Sequence, residues 1–228
     1  MKYLYLLLNF GSLLIPFIFS FHSRLKFYRY WKSLFLAIII TMLVFIPWDV
    51  IFTFKGIWGF NETYFIEHKI LSLPIEEWLF FICIPYACVF THYALIQLFP
   101  KKELTKKTTL NITNILIIAF VIIALLNYDK WYTLVNFLYA TILIIIVKVN
   151  SIDILKKYYL TFLVMLIPFL VINGILTGSL IEHEVVWYNN EENLNFRFFT
   201  IPIEDSIYAF SLILTNLALT EFFYKKLN

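Results

Sequence analysis

Apolar residues run along the chain in seven long stretches, at 3–20, 33–54, 74–98, 110–127, 131–149, 158–178 and 201–224. A helix needs about 20 such residues to cross a bilayer. Each stretch therefore predicts a transmembrane helix, and the chain reads as an all-α, polytopic membrane bundle. Charged positions collect between the stretches, and the basic ones alternate. Arg24, Lys26, Arg29, Lys32, Lys101, Lys102, Lys106, Lys107, Lys148, Lys156, Lys157, Lys225 and Lys226, 13 of the 18 basic residues, fall on one side. Only Lys2, Lys55, Lys69, Lys130 and Arg197 fall on the other. The positive-inside rule then predicts an outside N-terminus and a cytoplasmic C-terminus, in the cell membrane.

Composition agrees. Of 228 residues, 61% are hydrophobic and 14% charged, too little polar surface for a soluble domain of this length. The net charge of +3 is small and dispersed, which argues against nucleic acid as a partner. Cys83 and Cys88 share one apolar run and face different sides of a helix, so they read as packing residues and not as a metal pair. The first stretch lacks a small-residue cleavage pattern and is expected to be a retained span.

Acidic residues break the apolar pattern twice, in the same way. Pro74-Ile75-Glu76-Glu77 heads the third stretch and Pro202-Ile203-Glu204-Asp205 heads the seventh. Upstream, Asp49, Thr53, Gly56, Trp58 and Asn61 are echoed by Asn173, Thr177, Gly178, Trp187 and Asn189, with Pro47 and Pro168 inside the incoming spans. These echoes define an internal repeat, and in membrane proteins the site commonly lies where repeats meet. Spans 2 and 6 run the same way, as do 3 and 7. The repeats are thus parallel, with an unpaired fourth span restoring the orientation. The organisation expected is a first three-span repeat (1–100), a linker carrying the fourth span (101–130) and a second three-span repeat (131–228).

Acids after a helix-initiating proline can serve as caps, but adjacent acids at a membrane face ask for more. A carboxylate within a span costs several kcal/mol unless paired or neutralised, and the lysines lie at the opposite face. Crowded carboxylates disfavour one another's ionisation, so at least one of Glu76, Glu77, Glu204 and Asp205 is expected to carry a proton near neutral pH. Such a group is a general acid. Trp48, Trp78, Phe80, Phe81, Tyr208 and Phe210 sit beside these acids in sequence, and an aromatic face stabilises a cation by about 2 kcal/mol when desolvated. An acid in a dry aromatic wall is equipped to protonate an alkene and hold the carbocation.

The doubled PxE(E/D) motif, the Asp49/Thr53 and Asn173/Thr177 pairs and the chain length resemble the membrane-integral two-repeat lycopene β-cyclases, over nearly the whole chain. The resemblance implies a non-redox isomerisation without cofactor or metal, closing the end groups of lycopene or a related linear carotenoid to β-ionone rings. It assigns Glu76, Glu77, Glu204 and Asp205 to acid/base chemistry. Asp49, Thr53, Asn173 and Thr177, with the six aromatic residues, fall to substrate binding or support. Membrane lipid and other carotenoid-pathway enzymes are the remaining expected partners.

Other classes fit less well. A flavin-dependent cyclase needs a G-x-G-x-x-G turn, which Gly11, Gly56, Gly59, Gly174 and Gly178 do not form. A retinal protein needs a lysine in span 7, where 201–224 has none. A prenyltransferase needs basic partners for a diphosphate beside its metal-binding acids. A carotenoid hydratase, using the same protonation, and a proton-coupled transporter remain as alternatives. His68 and His183, both in Ile-Glu-His, are weak candidates for metal or proton relay; His92 lies a few turns into span 3, and His22 near the basic loop.

Overall fold

A computed structural model describes residues 1–227. Six α-helices carry the fold: α1 (Leu4–Phe19), α2 (Trp31–Phe54), α3 (Ile75–Leu98), α4 (Lys106–Leu126), α5 (Trp131–Leu176) and α6 (Ile203–Leu227). Their bounds follow the apolar stretches closely, with one difference. The fifth and sixth stretches form one 46-residue helix, α5, broken at Ser151 by an extended backbone (φ −159°, ψ 61°). The break falls where Lys148, Asn150 and Asp153 interrupt the apolar run. Five helices are long and apolar enough to cross a membrane, while α1, at 16 residues, is shorter. Large apolar side chains such as Leu43, Leu125, Ile115 and Ile167 lie exposed on the flanks, as suits a bilayer and not water.

Three small antiparallel ribbons, not expected from the sequence, cover one end of the bundle. They are β1 (Trp58–Phe60) with β4 (Val186–Tyr188), β2 (Lys69–Ile70) with β3 (Leu73–Pro74), and β5 (Arg197–Phe198) with β6 (Ile201–Pro202). The first joins the two halves of the chain. Its central pair is Gly59↔Trp187, and it is flanked by Asn61 N donating to Val185 O and Asn189 N to Ile57 O, both 2.8 Å. Glycine is required at 59, because a Cβ there would sit 2.3 Å from the Trp187 ring.

That central pair marks a pseudo-twofold axis, about which equivalent residues differ by 127 or 128 positions. Tyr5 N bonds Tyr64 O as Tyr132 N bonds Glu192 O, and Ile75 N bonds His68 O as Ile203 N bonds Phe196 O. Asn61 Oδ1 accepts from Thr63 N as Asn189 Oδ1 accepts from Glu191 N. Around the axis the halves interlock: α2 packs mainly on α6, while α3 packs on both α1 and the second arm of α5. Phe90, Phe120, Phe137, Ile144, Leu155 and Leu214 fill the middle of the bundle.

Several sequence equivalences leave this register, Trp58/Trp187 at 129 positions, Asp49/Asn173 and Thr53/Thr177 at 124, and Gly56/Gly178 at 122. The pairing places Trp58 opposite Val186 under the twofold, not Trp187. Trp58 is buried, whereas Trp187 is 39% exposed and covers Gly59. The threonines also differ, since Thr177 ends α5 while Thr53 lies inside α2, whose end residue is Lys55. Gly56 (φ 69°) and Gly178 (φ 107°) each turn the chain out of a helix in the left-handed region, but they lie 122 positions apart, six short of the ribbon register.

Candidate active site

Each acid pair heads its helix directly after a short ribbon, with Pro74 and Pro202 as the ribbon's last residues. Successive helical residues point about 100° apart, and here that separation divides each pair. Glu76 and Glu204 turn back to the loops and are fully buried. Glu76 Oε1 accepts from Ile66 N (2.7 Å), and Glu204 Oε1 from Leu194 N (2.7 Å) and Thr133 Oγ1 (2.7 Å). These first acids tie down the ribbon loops. Asn9 Nδ2 reaches Glu76 O (2.9 Å) and Asn136 Nδ2 reaches Glu204 O (2.6 Å), pinning α1 and α5 to the same helix starts.

Glu77 and Asp205 turn instead into a cavity of about 530 Å³, within the range of small-molecule sites. Asp49 and Asn173 line it too, as do Tyr5, Trp58, Phe60, Phe80, Tyr132, Tyr188 and Tyr208. Three carboxyl groups from α2, α3 and α6 therefore share one aromatic chamber drawn from both repeats.

Their partners differ sharply. Asp205 accepts from Tyr132 Oη (2.6 Å), Asn173 Nδ2 (2.7 Å) and Tyr188 Oη (2.9 Å). Glu77 accepts from the Tyr5 hydroxyl and shares the cavity with Asp49. Asp49 Oδ1 accepts from Trp58 Nε1 (2.7 Å), and its Oδ2 is buried without a protein partner. Tyr188 belongs to β4, outside the helices. Burial, helped by the Asp205 carboxyl it faces, holds its phenol well above the usual range, so it stays a donor.

Of the other expected site residues, Phe80 and Tyr208 reach the cavity and the rest do not line it. Trp48 packs between Phe45 and Tyr208 (5.5 and 5.1 Å between ring centres), one layer behind the wall. Trp78 Nε1 bonds Ile70 O (3.2 Å), Phe81 lies in the core beside Phe45, and Phe210 packs on Tyr158 and Phe162. Thr177 Oγ1 bonds Asn173 O (2.8 Å) and Thr200 Oγ1 (2.8 Å), while Thr53 Oγ1 is buried without a partner. His92 pairs with Thr161 (2.7 Å), away from the acids. Cys83 is buried in the core and Cys88 lines the cavity; both are free thiols.

The sequence reading missed Tyr5, Tyr132 and Tyr188. Two of them had a signal, because Tyr5-x-x-x-Asn9 and Tyr132-x-x-x-Asn136 recur at equal spacing in the first helix of each repeat. The four-residue step puts tyrosine and asparagine on one helix face, where both meet the acid pair.

An acid-lined, aromatic-walled chamber inside an apolar helical bundle defines a membrane protein suited to a hydrophobic substrate. The family model for lycopene cyclase matches the chain twice, over residues 2–95 and 129–223, and the chain belongs to that family. Membership brings carotenoid cyclase function and a carotenoid substrate. Comparison with curated proteins and with solved structures gives no match.

Proposed function

We propose that the protein is a lycopene β-cyclase that works by proton transfer alone, an intramolecular isomerisation with no redox step. The observation that carries this reading is the convergence of Asp49, Glu77 and Asp205 on one aromatic cavity. In the proposed cycle Glu77, kept neutral by burial and by the Asp49 carboxyl in the same chamber, protonates the terminal double bond of a linear end group. The resulting cation is attacked by the neighbouring double bond, which closes a six-membered ring. Loss of a ring proton to the ionised Glu77–Asp49 pair restores the catalyst and leaves the β-ionone double bond, so atoms and charge balance.

Asp205 serves as the fixed counter-charge. Its three donors favour the ionised form against the cost of burial, since hydrogen bonds to charged groups contribute about 1.5–3 kcal/mol each. Tyr208, Phe80 and Trp58 line the chamber, and their π systems would stabilise the cation. Glu76 and Glu204 hold the ribbon loops in place, a positioning role. The architecture that goes with this reading has seven spans: α1, α2, α3, α4, the two arms of α5, and α6. The two matched segments are then two three-span repeats joined through α4. With Lys101, Lys102, Lys106 and Lys107 on the cytoplasmic side of the cell membrane, the ribbons and the acids lie toward the outside.

The test is conversion of lycopene by purified protein in liposomes, without added flavin or nicotinamide, with the pigment analysed by chromatography. Cyclic product from the native protein and none from Glu77→Gln supports the assignment. A water adduct in place of a ring would replace cyclase by hydratase.

A further inference from the structure

The cavity takes an end group, and the rest of a long polyene must leave it. On the ribbon side Leu8 of α1 and Ile172 of α5 pack against an apolar cluster that includes Leu176 and Val185. Further along, the wall is made by Leu7, Gly11, Ser12 and Ile15 of α1 and by Phe162, Met165, Pro168 and Phe169 of α5. Leu7 and Ile15 are 66% and 64% exposed, although they line a cavity. The chamber thus opens sideways between α1 and the second arm of α5, at apolar depth. A second hollow of about 450 Å³, lined by Leu7, Phe10, Gly11, Leu13, Leu14 and Phe17, lies along α1 and shares Leu7 and Gly11 with the first. Gly11 is the saddle between them, and a Cβ there would meet nothing within 4 Å. The wall offers no spare polar group, since Ser12 Oγ is bonded to Leu8 O (2.6 Å).

The pseudo-twofold shows what the alternative looks like. The 127-residue offset of Tyr5/Tyr132 and Asn9/Asn136 carries Gly11 to Leu138 and Ser12 to Tyr139. Tyr139 packs its ring on Phe45 (5.1 Å) and Trp48 (6.1 Å) of α2 and bonds Thr215 (2.9 Å). The equivalent crevice, between the first arm of α5 and α2, is thereby filled.

We propose that the polyene shaft of the carotenoid lies across Gly11 and Ser12, in the lateral opening between α1 and the second arm of α5, and that this is the route from the bilayer to the acids. The proposal deepens the cyclase reading and rests on it for the identity of the occupant. One opening serving one chamber means that the two ends of a substrate are processed one at a time.

Gly11→Phe and Ser12→Tyr test it, with two readouts: turnover in liposomes, and binding of lycopene followed by quenching of tryptophan fluorescence. Both substitutions place bulk where the structure has space or a small side chain, so the helical circular dichroism and melting temperature should hold. Obstruction at this threshold is expected to cut lycopene binding and conversion by about tenfold to a hundredfold. A short acyclic terpene with the same end group should still be cyclised. Unchanged lycopene conversion in both variants overturns the route, and so does equal loss of long and short substrates in folded protein. If either variant unfolds, Gly11→Val and Ser12→Leu provide smaller obstructions judged by the same long-versus-short contrast. Should native protein bind lycopene without cyclising it, and the variants lose that binding, the route stands and the cyclase reading falls.

Discussion

The two repeats place a carboxyl group at equivalent positions and surround it differently. Asp205 has Tyr132, Tyr188 and Asn173 as donors; Glu77 has Tyr5. Under the pseudo-twofold the residue matching Tyr188 is Phe60, which has no hydroxyl. Where the second repeat offers the amide of Asn173, the first offers Asp49, another acid. These differences leave Asp205 buried with three donors, and Glu77 with one donor in a chamber that also holds the Asp49 carboxyl. Duplication supplied two copies of a helix-heading acid, and divergence of their surroundings gives them separate tasks in the proposed cycle. Glu77 and Asp49 move the proton, and Asp205 stays charged.

This contrast predicts unequal losses. Glu77→Gln should reduce the initial rate of lycopene cyclisation by about 10³–10⁴, the upper part of the usual contribution of a general acid, with protein stability retained. Asp205→Asn removes a preorganised counter-charge and should lower turnover by about 10²-fold; equal effects at both positions would erase the division of labour. Tyr188→Phe strips Asp205 of one donor, and Phe60→Tyr offers Glu77 one more. Each should slow turnover about tenfold, since a hydrogen bond to a charged group contributes about 1.5–3 kcal/mol and part of that is kept by the remaining partners.

Smaller effects should spread evenly over the repeats. Asn9→Ala and Asn136→Ala each remove the side-chain donor to a helix-start carbonyl, of Glu76 and Glu204, which keeps its intrahelical partner. The loss is that of one hydrogen bond, so each should lower thermal stability by about 1 kcal/mol, read from the unfolding midpoint in detergent. Glu67→Gln dissolves the exposed Lys2–Glu67 pair (2.7 Å) and should shift neither stability nor rate, because exposed pairs contribute little.

Helices, repeat and acid pairs were legible in the sequence because each is a local pattern: apolar length and a recurring Pro-x-acid-acid. The split within each pair was not legible. Glu76 and Glu77 are neighbours in sequence, and which one faces a cavity depends on α1 and the ribbon loops arriving from elsewhere. Trp48, Trp78, Phe81 and Phe210 illustrate the same limit, since adjacency along a helix says little about a shared wall. Trp58 and Trp187 mislead in another way, matching in name while the strand pairing puts them one register apart. The Tyr-x-x-x-Asn echo of α1 and α5 was visible but lies far from the acids in sequence, and folding alone joins them. The break at Ser151 falls in the polar interval the sequence left between two apolar stretches, whereas the β-ribbons pair segments far apart in the chain and left no local pattern.

The central claim is that a carboxyl in this chamber protonates the substrate. The most direct measurement is a single turnover of lycopene by the protein equilibrated in D₂O within liposomes, with the product resolved by chromatography and mass spectrometry. The account predicts a cyclic carotenoid one deuterium mass unit heavier for each ring formed, with no redox cofactor supplied. A ring formed without deuterium, or lycopene recovered unchanged from folded protein, would contradict it.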